Sequence, residues 1–150
     1  MKQEFNQYLL SIGMTDSLIQ RVESLFKIAS SFVKSPIEDI FVTDLIDGEG
    51  KRIYLNLWFF AGSIWMEAKN FLTVIDIDQA ILEENIKYWR VQMADYTFES
   101  ANEKSRLSID VNTDQLIICQ FKATKENCDS LKALFIKRIV TPFIARNSGA

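Results

Sequence analysis

The sequence predicts an α+β fold in which helices at both ends of the chain flank a curved antiparallel sheet of six or seven strands. Apolar residues recur at helical spacing before Pro36 and after Thr124, they alternate with polar residues in between, and glycines fall between these segments. We expect one domain over residues 1–150, with a helical N-terminal pair in 1–35 and the β core and last helix in 37–146.

The N-terminal pair begins with a short amphipathic helix from Gln3 to Ile12, which Gly13 ends as a C′ residue. Thr15 or Asp16 can cap a second helix, which Ser35-Pro36 stops. One broad apolar stripe runs along this second helix and can cover a sheet face. Its members are Leu18, Val22, Leu25, Phe26, Ala29, Phe32 and Val33.

Between Ile37 and Ala123 the apolar period changes to two, which is the period of a β-strand. The predicted strands lie in 37–46, 52–60, 64–69, 74–78, 86–98, 106–112 and 116–123. Gly62-Ser63 fits a type II′ hairpin, and 81–85 is ambiguous between a helical turn and an edge strand. Thr124 can cap the last helix, and Pro142 ends or kinks it.

The densest apolar segment is Leu57-Trp58-Phe59-Phe60, with Trp65 and Met66 across the predicted hairpin, and it is apolar on both faces. A face open to water would not be so apolar. We expect the N-terminal helices to cover the face that carries Trp58, with a partner subunit, including a second copy of the chain, or a ligand as alternatives. Aromatic anchors often dominate binding, so Tyr54, Trp58, Phe60 and Trp65 are candidate partner-binding residues, and core packing is the competing explanation.

Composition disfavours several kinds of chemistry. The chain has no histidine, which excludes Ser-His, Cys-His and His-metal sites. The acids that remain for acid–base work are Glu67, Asp76, Asp78, Glu83 and Glu84. Asp76 and Asp78 match the start of a calcium loop, but Ile81 replaces its turn glycine and Lys87 its bidentate glutamate. We therefore predict no catalytic residue, no metal site and no cofactor.

Charge and cysteine content indicate the setting of the protein. A net charge of −3 disfavours nucleic-acid partners. Two cysteines, Cys119 and Cys128, are too few for a disulfide scaffold and suit a reducing compartment. The polar N-terminus is not followed by the apolar run that a signal peptide needs, and no apolar run approaches the length of a membrane span, so we expect neither. These features predict a cytoplasmic protein.

The closing passage RLSIDVNTDQLIICQFKATKENCDSLKALFIKRI resembles the sixth strand, tight turn, seventh strand and capping helix of pleckstrin-homology-like barrels. The resemblance covers Ile37 to Ile139 and implies a partly open barrel with a C-terminal capping helix. The chain departs from many members of that family because its last helix lacks the tryptophan that they carry there. Leu131 or Phe135 would then fill the space that this tryptophan occupies. The first hairpin loop is more acidic than basic, which disfavours phosphoinositides.

These observations favour a non-enzymatic module that recognises a protein or peptide, along a strand edge or in the groove beside the last helix. A carrier for a lipid or another apolar small molecule, held in the barrel or in a sheet–helix crevice, is the alternative. A hydrolase built on carboxylates is the third hypothesis, and it requires the acids named above to converge in a cleft.

Overall fold

The computed structural model describes residues 1–93, 107–114, 116 and 118–147. These residues form two antiparallel sheets flanked by helices. The first sheet contains β1 (Asp39–Ile46), β2 (Arg52–Ala61), β3 (Ile64–Lys69) and β4 (Gln79–Leu82), in that order. The second contains β5 (Ile86–Met93), β6 (Leu107–Thr113) and β7 (Ile118–Ala123), in that order. The helices are α1 (Gln3–Ser11), α2 (Asp16–Ser30), α3 (Cys128–Phe135) and α4 (Thr141–Asn147).

The predicted α+β class and antiparallel pairing are confirmed. The predicted sheet of six or seven strands is matched only in part, because the described strands divide into two antiparallel sheets of four and three and do not close into a barrel. The chain passes from β4 to β5 through one short helical turn, Glu83–Asn85, and changes sheets there. Residues 94–98 of the predicted fifth strand lie outside the described residues.

Gly13 ends α1 as predicted. Its φ is +84°, and the amides of Gly13 and Met14 donate to the carbonyls of Leu10 and Leu9 at 3.0 and 3.1 Å. This is a Schellman motif, in which a residue without a Cβ adopts the left-handed conformation at no steric cost. The chain can therefore reverse within four residues and place α2 on the same sheet face as α1.

The N-terminal helices and the first sheet enclose the first core. Phe26 of α2 contacts both Phe5 of α1 and Phe59 of β2, with ring centroids 6.0 and 6.2 Å apart. The central buried members of this first core are Phe5, Leu9, Ile12, Val22, Leu25, Leu57, Phe59, Met66 and Phe71. The stripe predicted on α2 therefore does cover the sheet, on the face that carries Leu57 and Phe59.

We predicted that the N-terminal helices cover the face of the sheet that carries Trp58, and this prediction is wrong. Trp58 points to the opposite side of β2 and lies against Phe121 of β7, with ring centroids 4.7 Å apart. The second sheet and the last helix cover this face and form the second core. Its buried members include Phe41, Trp58, Phe60, Trp65, Ile109, Val111, Phe121, Leu131 and Ile139.

The fourth strand lies later in the chain than predicted. Residues 74–78 belong to the connection after β3, whereas β4 starts at Gln79 and pairs Ala80 with Met66. Gly62 in the β2–β3 hairpin has a φ of +59°, as the first central position of a type II′ turn requires.

Pro142 does not end the last helix. A π-helical turn at Ile136–Val140 joins α3 to α4, and Pro142 occupies the second position of α4. Because proline has no N–H, it cannot donate to the carbonyl four residues earlier, and the wider turn lies where that bond is missing. Thr124 does not cap α3 either, because Asn127 precedes the helix and the Thr124 side chain donates to Asp44 at 3.1 Å.

A buried polar network joins α1, β1 and the start of α3. The Tyr8 hydroxyl donates to Asn127 Oδ1 at 2.7 Å and accepts from the Val42 amide at 3.0 Å. Asp44 accepts from the Thr124 amide at 3.0 Å, and its Oδ2 lies 2.7 Å from Arg52 Nε. These contacts hold α1 to β1 and to the start of α3.

Candidate functional site

The four residues predicted to bind a partner lie mostly inside the protein. Trp58, Phe60 and Trp65 are at most 1% exposed and pack together in the second core. Tyr54 is half-buried beside α1, and its hydroxyl donates to the Ile12 carbonyl at 2.5 Å. In this structure all four side chains contact other parts of the same chain.

A different group of apolar side chains is exposed, on β5 and the last helix. Val91 and Met93 are 45% and 51% exposed, and they lie on the same side of β5 as Trp89. Trp89 contacts Phe135 and Phe143 edge to face, with ring centroids 5.8 and 5.0 Å apart. We call these five residues the β5–helix surface.

The β5–helix surface lies beside a free strand edge. Among the described residues β5 pairs only with β6, so its other edge has no strand partner. On its other face Tyr88, Arg90 and Gln92 are also exposed. A long edge strand with exposed apolar side chains is a template for pairing with another chain.

A second apolar concavity lies between the end of α2 and β4, and we call it the α2–β4 groove. Its volume is about 570 Å³. It is lined by Ile28, Phe32, Val33, Ile64, Met66, Ile75, Asp76, Ile77, Gln79 and Ala80. Met66 is buried, whereas Phe32 is 75% exposed. The groove is therefore a crevice open to solvent between a sheet and a helix.

The second core leaves little space beside the last helix. The gap bounded by Phe60, Trp65, Leu131, Arg138 and other core residues has a volume of about 10 Å³. That is at most enough for a single water molecule. Arg138 closes this end, donating to Gly62 O at 3.0 Å and to Asp39 Oδ2.

The candidate acids do not gather in one place. Glu67 is 4% exposed and accepts from Asn56 Nδ2 at 3.1 Å, while the nearby Asp78 pairs with Lys69 at 3.2 Å. Burial raises the pKa of Glu67 to about 7; the charge of Lys69 lowers this pKa and that of Asp78 raises it. Glu83 lies instead near Arg138, and Asp76 lies in the α2–β4 groove.

Sequence reasoning missed the β5–helix surface because alternation does not reveal exposure. Trp89, Val91 and Met93 have the pattern of a core face, and the exposure of Val91 and Met93 follows from the position of β5 at the edge of its sheet. Burial of Cys119 raises the pKa of its thiol, as does the charge of Glu67, which leaves the sulfur in its unreactive form.

No group of metal-binding side chains occurs among the described residues. None of the described helices is both long and apolar enough to cross a membrane. A scan against protein-family models and searches of curated proteins and of solved structures found no match for this chain.

Proposed function

We propose that this chain is a non-enzymatic binding module that recognises a protein or an extended peptide on the β5–helix surface. The observation that carries the proposal is a strand edge of β5 that pairs with no strand of the described residues and lies directly beside solvent-exposed apolar side chains of β5 and the last helix. An added strand would gain main-chain hydrogen bonds from the edge, and its alternate side chains would contact Val91, Met93 and Trp89.

The resemblance to pleckstrin-homology-like barrels is part of this proposal. Four strands, then three strands, then a helix against the second core is the order that the resemblance implies. A role without catalysis is supported by the absence of histidine and by the separation of the candidate acids. A cytoplasmic location is supported by two buried cysteines that form no disulfide.

Selection from a library of random linear peptides displayed on phage tests the proposal. Peptides enriched on the wild-type protein would be synthesised with a fluorophore and titrated by fluorescence anisotropy. Val91→Asp and Phe143→Asp each replace an exposed side chain of the surface. We expect each to weaken binding by about ten-fold or more, because a carboxylate at a contact loses apolar burial and must be desolvated.

Leu10→Asp is the matched control, since Leu10 is 56% exposed on α1 and lies outside the β5–helix surface. This variant should bind the peptides as the wild type does. If no peptide is enriched, or if the enriched peptides bind Val91→Asp and Phe143→Asp unchanged, the proposed surface is wrong.

The α2–β4 groove favours a second candidate function, that of a carrier for an apolar small molecule. Its volume of about 570 Å³ falls within the range of ligand sites, and its lining is mostly apolar. A series of n-alkanols tests it by calorimetry, since each added methylene should raise the affinity about four-fold. Ala80→Trp should block this binding and Leu82→Trp should not, because only Ala80 lines the groove. Equal binding by both variants would rule the groove out.

A further inference from the structure

Among the described residues, Asp76 is the only ionisable one that lines the α2–β4 groove. The remaining lining consists of apolar residues and one amide, that of Gln79. As far as the described part of the chain lines it, a ligand in this groove therefore meets one negative charge and no positive charge. An anionic group placed there would be repelled, and a cationic group would be attracted.

The Asp76 carboxylate also has no partner within the described part of the chain. It makes neither a hydrogen bond nor an ion pair, whereas Asp78, two residues later, pairs with Lys69 at 3.2 Å. The two acids share one connection, and only Asp78 is matched by a cation of the protein. Asp76 thus remains available to a charge that arrives from outside.

We propose that the α2–β4 groove binds an alkyl chain that ends in an ammonium group, with the chain along Met66, Ile77 and Ala80 and the ammonium at Asp76. This inference rests on the second candidate function and adds the class of ligand to it. The Gln79 side-chain oxygen offers a further acceptor for the ammonium N–H groups.

The shape of the groove favours a small molecule over a strand or a second copy of the chain. It is a concavity of about 570 Å³, the size of a small-ligand site. The adjacent edge strand, β4, has only four residues and offers few main-chain groups for pairing. A second copy of this chain would also bring acids rather than cations in excess, because its net charge is −3.

The test compares three probes of equal chain length, n-octylamine, n-octanol and sodium octanoate, titrated into the full chain by calorimetry below their micelle concentrations. We expect octylamine to bind about three- to ten-fold more tightly than octanol, as an exposed ion pair would allow, and octanoate most weakly. Asp76→Asn should remove the preference for octylamine over octanol and leave octanol binding unchanged. Glu49→Gln, which removes a charge that is also exposed but lies in the β1–β2 turn, should change neither.

Each outcome bears on a separate claim. If octanol and octylamine bind equally, or if Glu49→Gln acts as Asp76→Asn does, the ammonium preference is wrong while the carrier function stands. If no alkyl probe binds, both fail. Phe32→Ser truncates an exposed wall of the groove without a cost to the core, so it tests the site even if Ala80→Trp does not fold. If sedimentation shows a wild-type dimer that Phe32→Ser dissociates, the occupant is a second copy and the proposal is overturned.

Discussion

The two sheets differ in how much of their surface the protein itself covers. In the first sheet, β2 is buried on both faces along its last five residues, between the N-terminal helices and the second sheet. In the second sheet, Ile86 is the only buried residue of β5. The difference teaches that burial in the two cores explains the apolar residues at the end of β2, whereas it does not explain those exposed on β5, for which the proposed binding function would account.

The largest effect should come from a matched pair of tryptophans. Trp58→Ala empties a fully buried site in the second core and should lower the free energy of unfolding by about 3–5 kcal/mol. Trp89→Ala removes a half-buried side chain from β5 and should cost about 1–2 kcal/mol. Urea denaturation measures both. Equal losses of unfolding free energy in the two variants would show that Trp58 and Trp89 are equally buried, and the contrast between the two sheets would then be wrong.

An intermediate effect should come from Glu67, a carboxyl buried in the otherwise well-packed first sheet. Its folded pKa of about 7 lies above its ordinary value of 4.5, so the folded state holds a proton that the unfolded state has released. Stability should therefore fall as pH rises from about 4.5 to 7. We expect Glu67→Gln to remove this loss and to stabilise the protein on the order of 3 kcal/mol at about pH 8.

Thermal unfolding of the wild type and Glu67→Gln across this pH range measures the difference, which should vanish near about pH 4. Glu84→Gln, which neutralises an exposed acid, is the control. A difference between wild type and Glu67→Gln that stays constant with pH would contradict the assignment and point to a change in packing.

The smallest effect should come from the second sheet. Leu116, between β6 and β7, is 78% exposed and has a φ of +63°, a conformation that a leucine rarely adopts. Leu116→Asn should raise the free energy of unfolding by about 0.5–1 kcal/mol, because asparagine tolerates the left-handed region. Leu116→Ala keeps the Cβ and should change little. A loss of stability in Leu116→Asn would mean that the leucine side chain packs usefully at this turn.

The sequence predicted most of the secondary structure because its signals are local. Gly13 and Gly62 end elements where their positive φ is needed, and alternation located the strands. The sequence-based prediction placed β4 too early, because the connection before this strand contains Val74, Ile75 and Ile77, whose pattern resembles that of a strand. Of the two outcomes predicted for Pro142, an end of the helix is wrong, since a proline near the start of a helical segment is tolerated after a wider turn.

The arrangement of the elements could not be predicted, because it depends on contacts between residues far apart in the chain. An apolar stripe on α2 suits either face of β2, and only the tertiary structure places it over Phe59 rather than Trp58. The candidate site was missed for the same reason. The exposure of Val91, and the lack of a partner for Asp76 among the described residues, are properties of the folded surface, and neither has a signal in the sequence.

The two-sided burial of β2 also fixes how its neighbours can align. Leu57 and Phe59 belong to one core, and Trp58 and Phe60 belong to the other. A slip of the strand by one residue would exchange the contents of the two compartments, forcing indole rings beneath the N-terminal helices and leaving smaller side chains between the sheets. Such a slip would disrupt the packing of both cores, so a shifted alignment of β2 with its neighbouring strands loses stability on both faces of the sheet.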